Sequence, residues 1–324
     1  MGMIAMSLAG ILCWLCWTVL TTVGPCASAV MPRAIPVPLA AWLSAAEEPP
    51  PRIVVNGRPL SAAEWEFLRL TRGENGALTP ERRVWLIDHA IERALIRGFL
   101  SRRKITPPSD AVEFQIRQLE DLIRRRGEQP DPFLARLGLT REVLQQELGL
   151  SLAWQVYVQQ AASDRQIQQY FEEHRSELDG TRVRVRQIFR KVPSDAADSQ
   201  SSAAEQLLLR LKRDIEAGRL SFAEAAQQHS QSPSGQQGGD VGWVGAPGKL
   251  PAELTSVVLT LQPGEIAGPL RTAFGWHLVQ VTERKAGQLS LEDARPVILD
   301  RLSVQWWQDV VAKERAAANI SRSE

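Results

Sequence analysis

The sequence predicts an α+β unit inserted into an all-α domain. Three observations predict it. Residues 60–178 form a run of amphipathic helices with no strand pattern of weight. Residues 183–189 then alternate with period two, as do residues 276–281. From residue 290 helical spacing returns, with Ala294, Ile298, Leu302, Trp306 and Val310 on one stripe. One isolated helix cannot bury such a stripe. It is expected to pack against the N-terminal helices, which makes the α+β unit an insertion.

Composition sets the outer bounds. The chain has 324 residues, a length typical of about two domains. Hydrophobic residues make up 44% and charged residues 23%, which excludes collagen-like and wholly disordered chains. The net charge is +1, from 38 basic and 37 acidic residues, so nothing global recruits nucleic acid. Cys13, Cys16 and Cys26 precede residue 27, and no thiol follows. A disulfide framework, a thiolate zinc site and a cysteine nucleophile are thereby excluded from the later chain. His89, His174, His229 and His277 show no metal-ligand spacing. No metal or cofactor is expected.

The elements follow in order. Residues 1–32 carry no charge, and residues 3–23 are almost wholly apolar, long enough to span a bilayer. Ala27-Ser28-Ala29 fits the small-residue cleavage pattern. Residues 1–29 therefore read as a signal peptide or a membrane anchor, and export is expected. Residues 30–52 hold six prolines and read as a flexible linker. Ile53-Val54-Val55-Asn56-Gly57 is a short extended piece closing in a turn. Ser61 with Glu64 is a capping box. Thr79-Pro80 caps a helix bearing Trp85, Ile91, Leu95 and Phe99. Asp110 opens the next, with Val112, Ile116, Leu119 and Ile123, stopping at Gly127. Asp131-Pro132 repeats the cap-and-proline signal. Thr140 caps a long helix, and Ser163 opens one containing Tyr170 and Phe171. Arg124-Arg125-Arg126, flanked by Glu120, Asp121 and Glu128, reads as a solvated face. This helical domain spans residues 53–178.

The α+β unit spans residues 180–288. In its first strand Val183, Val185, Gln187 and Phe189 share one face, and Arg182, Arg184, Arg186 and Arg190 the other. A helix with Ala204, Leu207, Leu211 and Ile215 ends at Gly218. Ser221 with Glu224 is a second capping box. A glycine-rich loop follows, then a helix opening at Leu250-Pro251, then a strand with His277, Val279 and Val281 on one face. The helix over residues 289–319 closes the chain, capped by Ser290 and Asp293.

These motifs resemble the parvulin-type peptidyl-prolyl cis-trans isomerases. The resemblance rests on Val183-Arg184-Val185-Arg186-Gln187-Ile188-Phe189, Phe222-Ala223-Glu224-Ala225-Ala226 and Ser230-Gln231-Ser232-Pro233-Ser234. It continues through Gly238-Gly239-Asp240-Val241-Gly242-Trp243, Leu261-Gln262-Pro263-Gly264-Glu265-Ile266, Gly268-Pro269-Leu270 and Phe274-Gly275-Trp276-His277-Leu278-Val279-Gln280-Val281. The pieces cover about 100 residues in the family's order. The flanking helices look like the chaperone domain of exported SurA/PrsA-type foldases. The resemblance implies an antiparallel four-stranded sheet with surrounding helices. It also implies unfolded or proline-containing client polypeptides as partners. A periplasmic or extracytoplasmic location is expected, with membrane attachment through residues 3–23 if they are retained.

Rotation about a prolyl bond meets a barrier of about 18–20 kcal/mol. A catalyst needs no nucleophile for it, only an apolar seat for the ring and polar groups that favour the twisted amide. By resemblance, Val241, Leu250, Leu254 and Phe274 would form the seat. For Val241 and Leu254 the regular apolar pattern fits plain core equally well. His277 matches the family's last-strand histidine, and Thr272 a threonine that supports its polar network. Gln187 replaces the first-strand histidine, and Ser232 stands where a cysteine often is. Gln187 and His277 fall on the apolar faces of their strands, where each is expected to need a partner and to supply the other's. The loop over residues 193–202 has Asp195 and Asp198 and no basic residue, so selectivity for phosphorylated substrates is not expected. Two readings remain open: a foldase that isomerises prolyl bonds, and a holdase whose degenerate parvulin module only binds clients.

Overall fold

The computed structural model describes residues 50–74, 77–193, 195–246 and 250–323. The readings made for residues 1–49 lie outside the described residues. Chain contacts divide the rest into two units. One holds the described residues through Ser163 and those from Leu299 onward. The other is Asp164–Ile298.

The first unit opens with β1 (Arg52–Val55) and β2 (Arg58–Pro59), an antiparallel hairpin. Asn56 and Gly57 both take positive φ, 51° and 81°, as a two-residue hairpin turn demands. Helices α1 (Ala62–Thr71), α2 (Pro80–Arg102), α3 (Ser109–Arg125), α4 (Pro130–Arg136) and α5 (Arg141–Ala161) follow. Ser61 and Glu64 close the expected capping box. Thr79 and Thr140 cap α2 and α5 through their hydroxyls. Helix α4 starts one residue before the expected cap. Pro130 is its first residue, so Asp131 lies inside the first turn.

The second unit begins with α6 (Asp164–Glu173) and α7 (Arg175–Leu178). Then come β3 (Arg182–Lys191), α8 (Asp198–Glu216), α9 (Phe222–His229), β4 (Asp240–Gly245), α10 (Ala252–Thr260), β5 (Ile266–Thr272) and β6 (Gly275–Lys285). Helix α11 (Leu291–Ala317) crosses back into the first unit, and β7 (Ile320–Ser323) ends there. β7 pairs antiparallel with β1, giving the order β2-β1-β7. The helical unit thus carries a small sheet where the sequence suggested one extended piece.

In the first unit, α3, α4 and α5 bury Ile116, Leu119, Leu134, Leu144 and Leu148 together. Residues of β1, α1 and α2 close a second cluster around Trp65, Leu86 and Ile91. The C-terminal part of α11 lays Leu299, Trp306, Trp307, Val310 and Val311 against Ile96, Phe99, Leu150 and Trp154. Trp154 gives its indole N–H to Ser303 Oγ at 2.9 Å.

The second unit is a four-stranded antiparallel sheet of order β4-β3-β6-β5, covered on both faces. On one face Val183, Val185, Val279 and Val281 pack with Leu254, Val258 and Leu259 of α10. On the other, Ile188 and Leu278 pack with Leu208 and Leu211 of α8 and Phe222, Ala225 and Ala226 of α9. Period-two alternation in β3 and β6 makes this split: odd positions face α10, even positions face α8 and α9. Gln187, Phe189 and His277 therefore stand on the α10 face. Among the described residues, no helix is long and apolar enough to cross a membrane.

Candidate active site

The first half of the site is built by backbone pairing. β4 pairs with β3 only over Arg182–Arg186. Beyond it the glycine-rich loop takes over as the partner of β3. Gln187 N–H donates to Gly239 O at 2.8 Å, and Gln231 N–H to Phe189 O at 2.8 Å. Phe189 N–H donates to Ser230 Oγ at 3.1 Å, and Lys191 N–H to Gln231 Oε1 at 2.7 Å. This run brings Ser232 beside Gln187. The Gln187 amide Nε2 donates to Ser232 Oγ at 3.1 Å, and Ser232 and Ser234 hydroxyls lie 3.1 Å apart.

The second half is built by the β5–β6 hairpin. His277 is flanked in register by Phe189 on β3 and Leu270 on β5. Its Nε2 lies 2.9 Å from Thr272 Oγ1, and that oxygen also accepts from Phe274 N–H at 3.2 Å. The Phe189 and His277 rings stack with centroids 4.7 Å apart and planes 30° apart. His277 is 5% exposed, and its buried Nδ1 has no hydrogen-bond partner among the described residues.

The expected link between Gln187 and His277 is corrected here. The register sets Gln187 opposite Val279 and sets Phe189, two residues on, opposite His277. Gln187 gives its amide to Ser232, and His277 turns to Thr272. The polar network is two separate halves. Sharing a strand face did not make the two side chains neighbours, because register decides that and alternation does not.

The apolar residues also sort differently from the expectation. Leu254 is sealed in the core beneath the sheet, and Leu250 nearly so. Leu254, with no exposed surface, supports the site from within the core in this conformation, while Leu250 keeps a small exposed edge. Val241 and Leu270 are half-buried at the edge of the same cluster. Phe274 protrudes from the hairpin at 65% exposed. Leu270 and Phe189 were missed as site residues. The signal for Phe189 was its period-two placement beside Gln187.

Burial pushes the His277 imidazole down to about 4, and the positive Arg271 guanidinium on β5 adds to the shift. The ring is neutral at physiological pH and acts by hydrogen bonding, without charge. Ser232 is bonded to an amide and to a second hydroxyl, neither of which removes a proton. The arrangement supplies neither a nucleophile nor an anion. It can hold an amide in an apolar setting beside fixed, neutral donors and acceptors.

The low His277 value has a consequence for stability. The unfolded chain takes up this proton from about pH 6.5 downward, and the folded protein only near 4. Between these limits the unfolded state binds more protons, so native stability falls with falling pH. Denaturant titrations should show a loss of about 3 kcal/mol from this group between pH 7 and pH 4. His277→Asn should flatten that part of the profile.

Residues 188–283 match the Rotamase family, described as the PPIC-type PPIASE domain. A larger stretch, 40% of the chain, is 37% identical over 138 residues to Chaperone SurA of Albidiferax ferrireducens, covering 29% of that protein. Chaperone SurA of Thiobacillus denitrificans is 35% identical over 147 residues, 44% of this chain and 33% of its own. The match thus spans about three tenths of the length of these curated relatives. The structure of peptidylprolyl isomerase PrsA from Bacillus cereus is 20% identical over 71% of this chain and 82% of its own, with TM-score 0.49. Both halves of the site lie inside or against the matched segment: Ser232, Thr272 and His277 fall in it, and Gln187 directly precedes it.

Proposed function

We propose that this protein is an exported foldase that isomerises prolyl bonds in unfolded clients. The observation that carries the reading is His277. It is a buried, neutral imidazole fixed by Thr272 on the sheet face that also carries Val241 and Leu270, and Phe274 is exposed on the adjoining β5–β6 turn. A twisting prolyl amide needs that combination: an apolar seat and polar groups that require no proton transfer. The uncharged apolar segment over residues 3–23 supports export. The site would accept unphosphorylated prolines, since Asp195 and Asp198 bring negative charge to the loop after β3.

The second reading is a holdase, and the divided network favours it. Gln187 is spent on Ser232 and leaves His277 with one partner. The two readings separate in a refolding assay. The full chain should speed the slow, proline-limited phase of a model client, a phase that runs over tens of seconds unaided. His277→Ala should abolish the acceleration and leave suppression of client aggregation intact. If wild type suppresses aggregation and never shortens the slow phase, the foldase reading fails and the holdase reading stands.

A further inference from the structure

The first-strand side chain that touches His277 is Phe189. The two are a directly opposed cross-strand pair on the α10 face, with rings stacked 4.7 Å apart. Such pairs interact at this spacing whatever hydrogen bonds they also make. The edge of the Phe189 ring also lies close to Gly275 of β6. A Cβ on Gly275 would lie 3.0 Å from Phe189 Cε2, so the bare glycine leaves the space the ring edge occupies. Its backbone is fixed on both sides, N–H on Ser230 Oγ and C=O on Gln231 N–H. On the far side of the imidazole stand Leu270 and, at Nε2, Thr272. Arg271 of β5 is the charged group that acts on the ring.

We infer that Phe189 is a positioning residue for His277. Its ring covers the imidazole face and takes the place of a hydrogen-bonding neighbour from the first strand. The inference rests on the foldase reading for its bearing on catalysis, and on ring geometry alone for its structural content. Thr272 fixes one nitrogen, and the stack fixes the plane. Together they hold a neutral imidazole in one tautomer where Gln187 does not reach it.

The test is long-range nitrogen NMR of the histidine rings in the full chain, titrated over pH 3.5–8, for wild type, Phe189→Leu, Phe189→Met and Phe189→Tyr. Wild type should show His277 ring protons shifted by the aromatic current, one tautomer, and titration near 4. Phe189→Leu and Phe189→Met should lose the ring-current shift, raise the titration midpoint by about one unit as water reaches the ring, and mix tautomers. Phe189→Tyr should restore the wild-type behaviour, its hydroxyl reaching solvent from a half-buried position. An unshifted wild-type ring overturns the inference without any variant. So does a folded Phe189→Leu or Phe189→Met protein whose His277 tautomer and midpoint match wild type. Prolyl exchange measured on the same samples keeps the two readings apart. If wild type does not accelerate exchange, the foldase reading fails while the titration still decides the role of Phe189.

Discussion

Glu147→Ala should cost the protein about 3–5 kcal/mol, the penalty for leaving buried charges without their partner. Glu147 is 3% exposed inside the helical unit. Arg93 Nη2 and Nε reach its Oε2 at 2.6 and 3.0 Å, and Arg97 holds its Oε1. Arg97 also donates to Glu64 Oε1 at 2.8 Å, where Arg58 meets the same oxygen at 2.8 Å. The chain thus ties the β1–β2 hairpin, α1, α2 and α5 together. Burial by itself would raise the Glu147 carboxyl, and the charges of Arg93 and Arg97 outweigh that and hold it below 4.5. Its stabilising effect is therefore complete above the ordinary carboxylate range and is lost as pH falls through the lowered value. Chemical denaturation of wild type and Glu147→Ala at pH 7 checks the magnitude. A loss under 1 kcal/mol would mean the network is mere surface pairing. Glu147→Gln should fall between, since it keeps the shape and removes the charge.

Gly275→Ala should be as damaging, for a steric reason. The residue sits at φ +149°, and an added Cβ would lie 2.1 Å from Arg190 O and 2.8 Å from Val192 N. Those are backbone atoms of the neighbouring segment, and they cannot swing aside. The β5–β6 hairpin would have to move off β3, taking Thr272 and His277 with it. A cost of roughly 3 kcal/mol or more is expected from overpacking and backbone strain together. Gly242→Ala is the control. Its φ is +82°, but nothing lies within 4 Å of the added Cβ. It should lose only the conformational term, about 1–2 kcal/mol. Equal losses in the two variants, by thermal or denaturant unfolding, would show that close packing at Gly275 contributes nothing.

Much of this was legible in the sequence, and the exceptions have physical reasons. Caps and periodicity revealed the helices, because Ser61, Thr79, Thr140 and Ser221 act on atoms three residues away. β5 did not show an alternating pattern, since Gly268-Pro269 interrupts it and the pairing with β6 shifts there. β7 is four residues long, mostly polar, and exists only by pairing with β1 across the whole chain. The Glu147 network joins residues about 50 positions apart, and no local spacing announces it. In the site, residue types and faces were readable. Which of them touch was not, because Gln187 and His277 stand two register positions apart. Leu254 carried the family's apolar signature at a position that the fold buries completely.

The central claim is that a neutral, Thr272-held His277 on this sheet assists prolyl rotation. The most direct measurement is cis-trans exchange in a short unphosphorylated Xaa-Pro peptide, followed by NMR with catalytic amounts of the full chain. The account predicts exchange on the subsecond scale with wild type, a rate flat from pH 5.5 to 8 because the imidazole stays neutral, and near-background exchange with folded His277→Ala. Exchange no faster than the free peptide, or undiminished acceleration by His277→Ala, would contradict it.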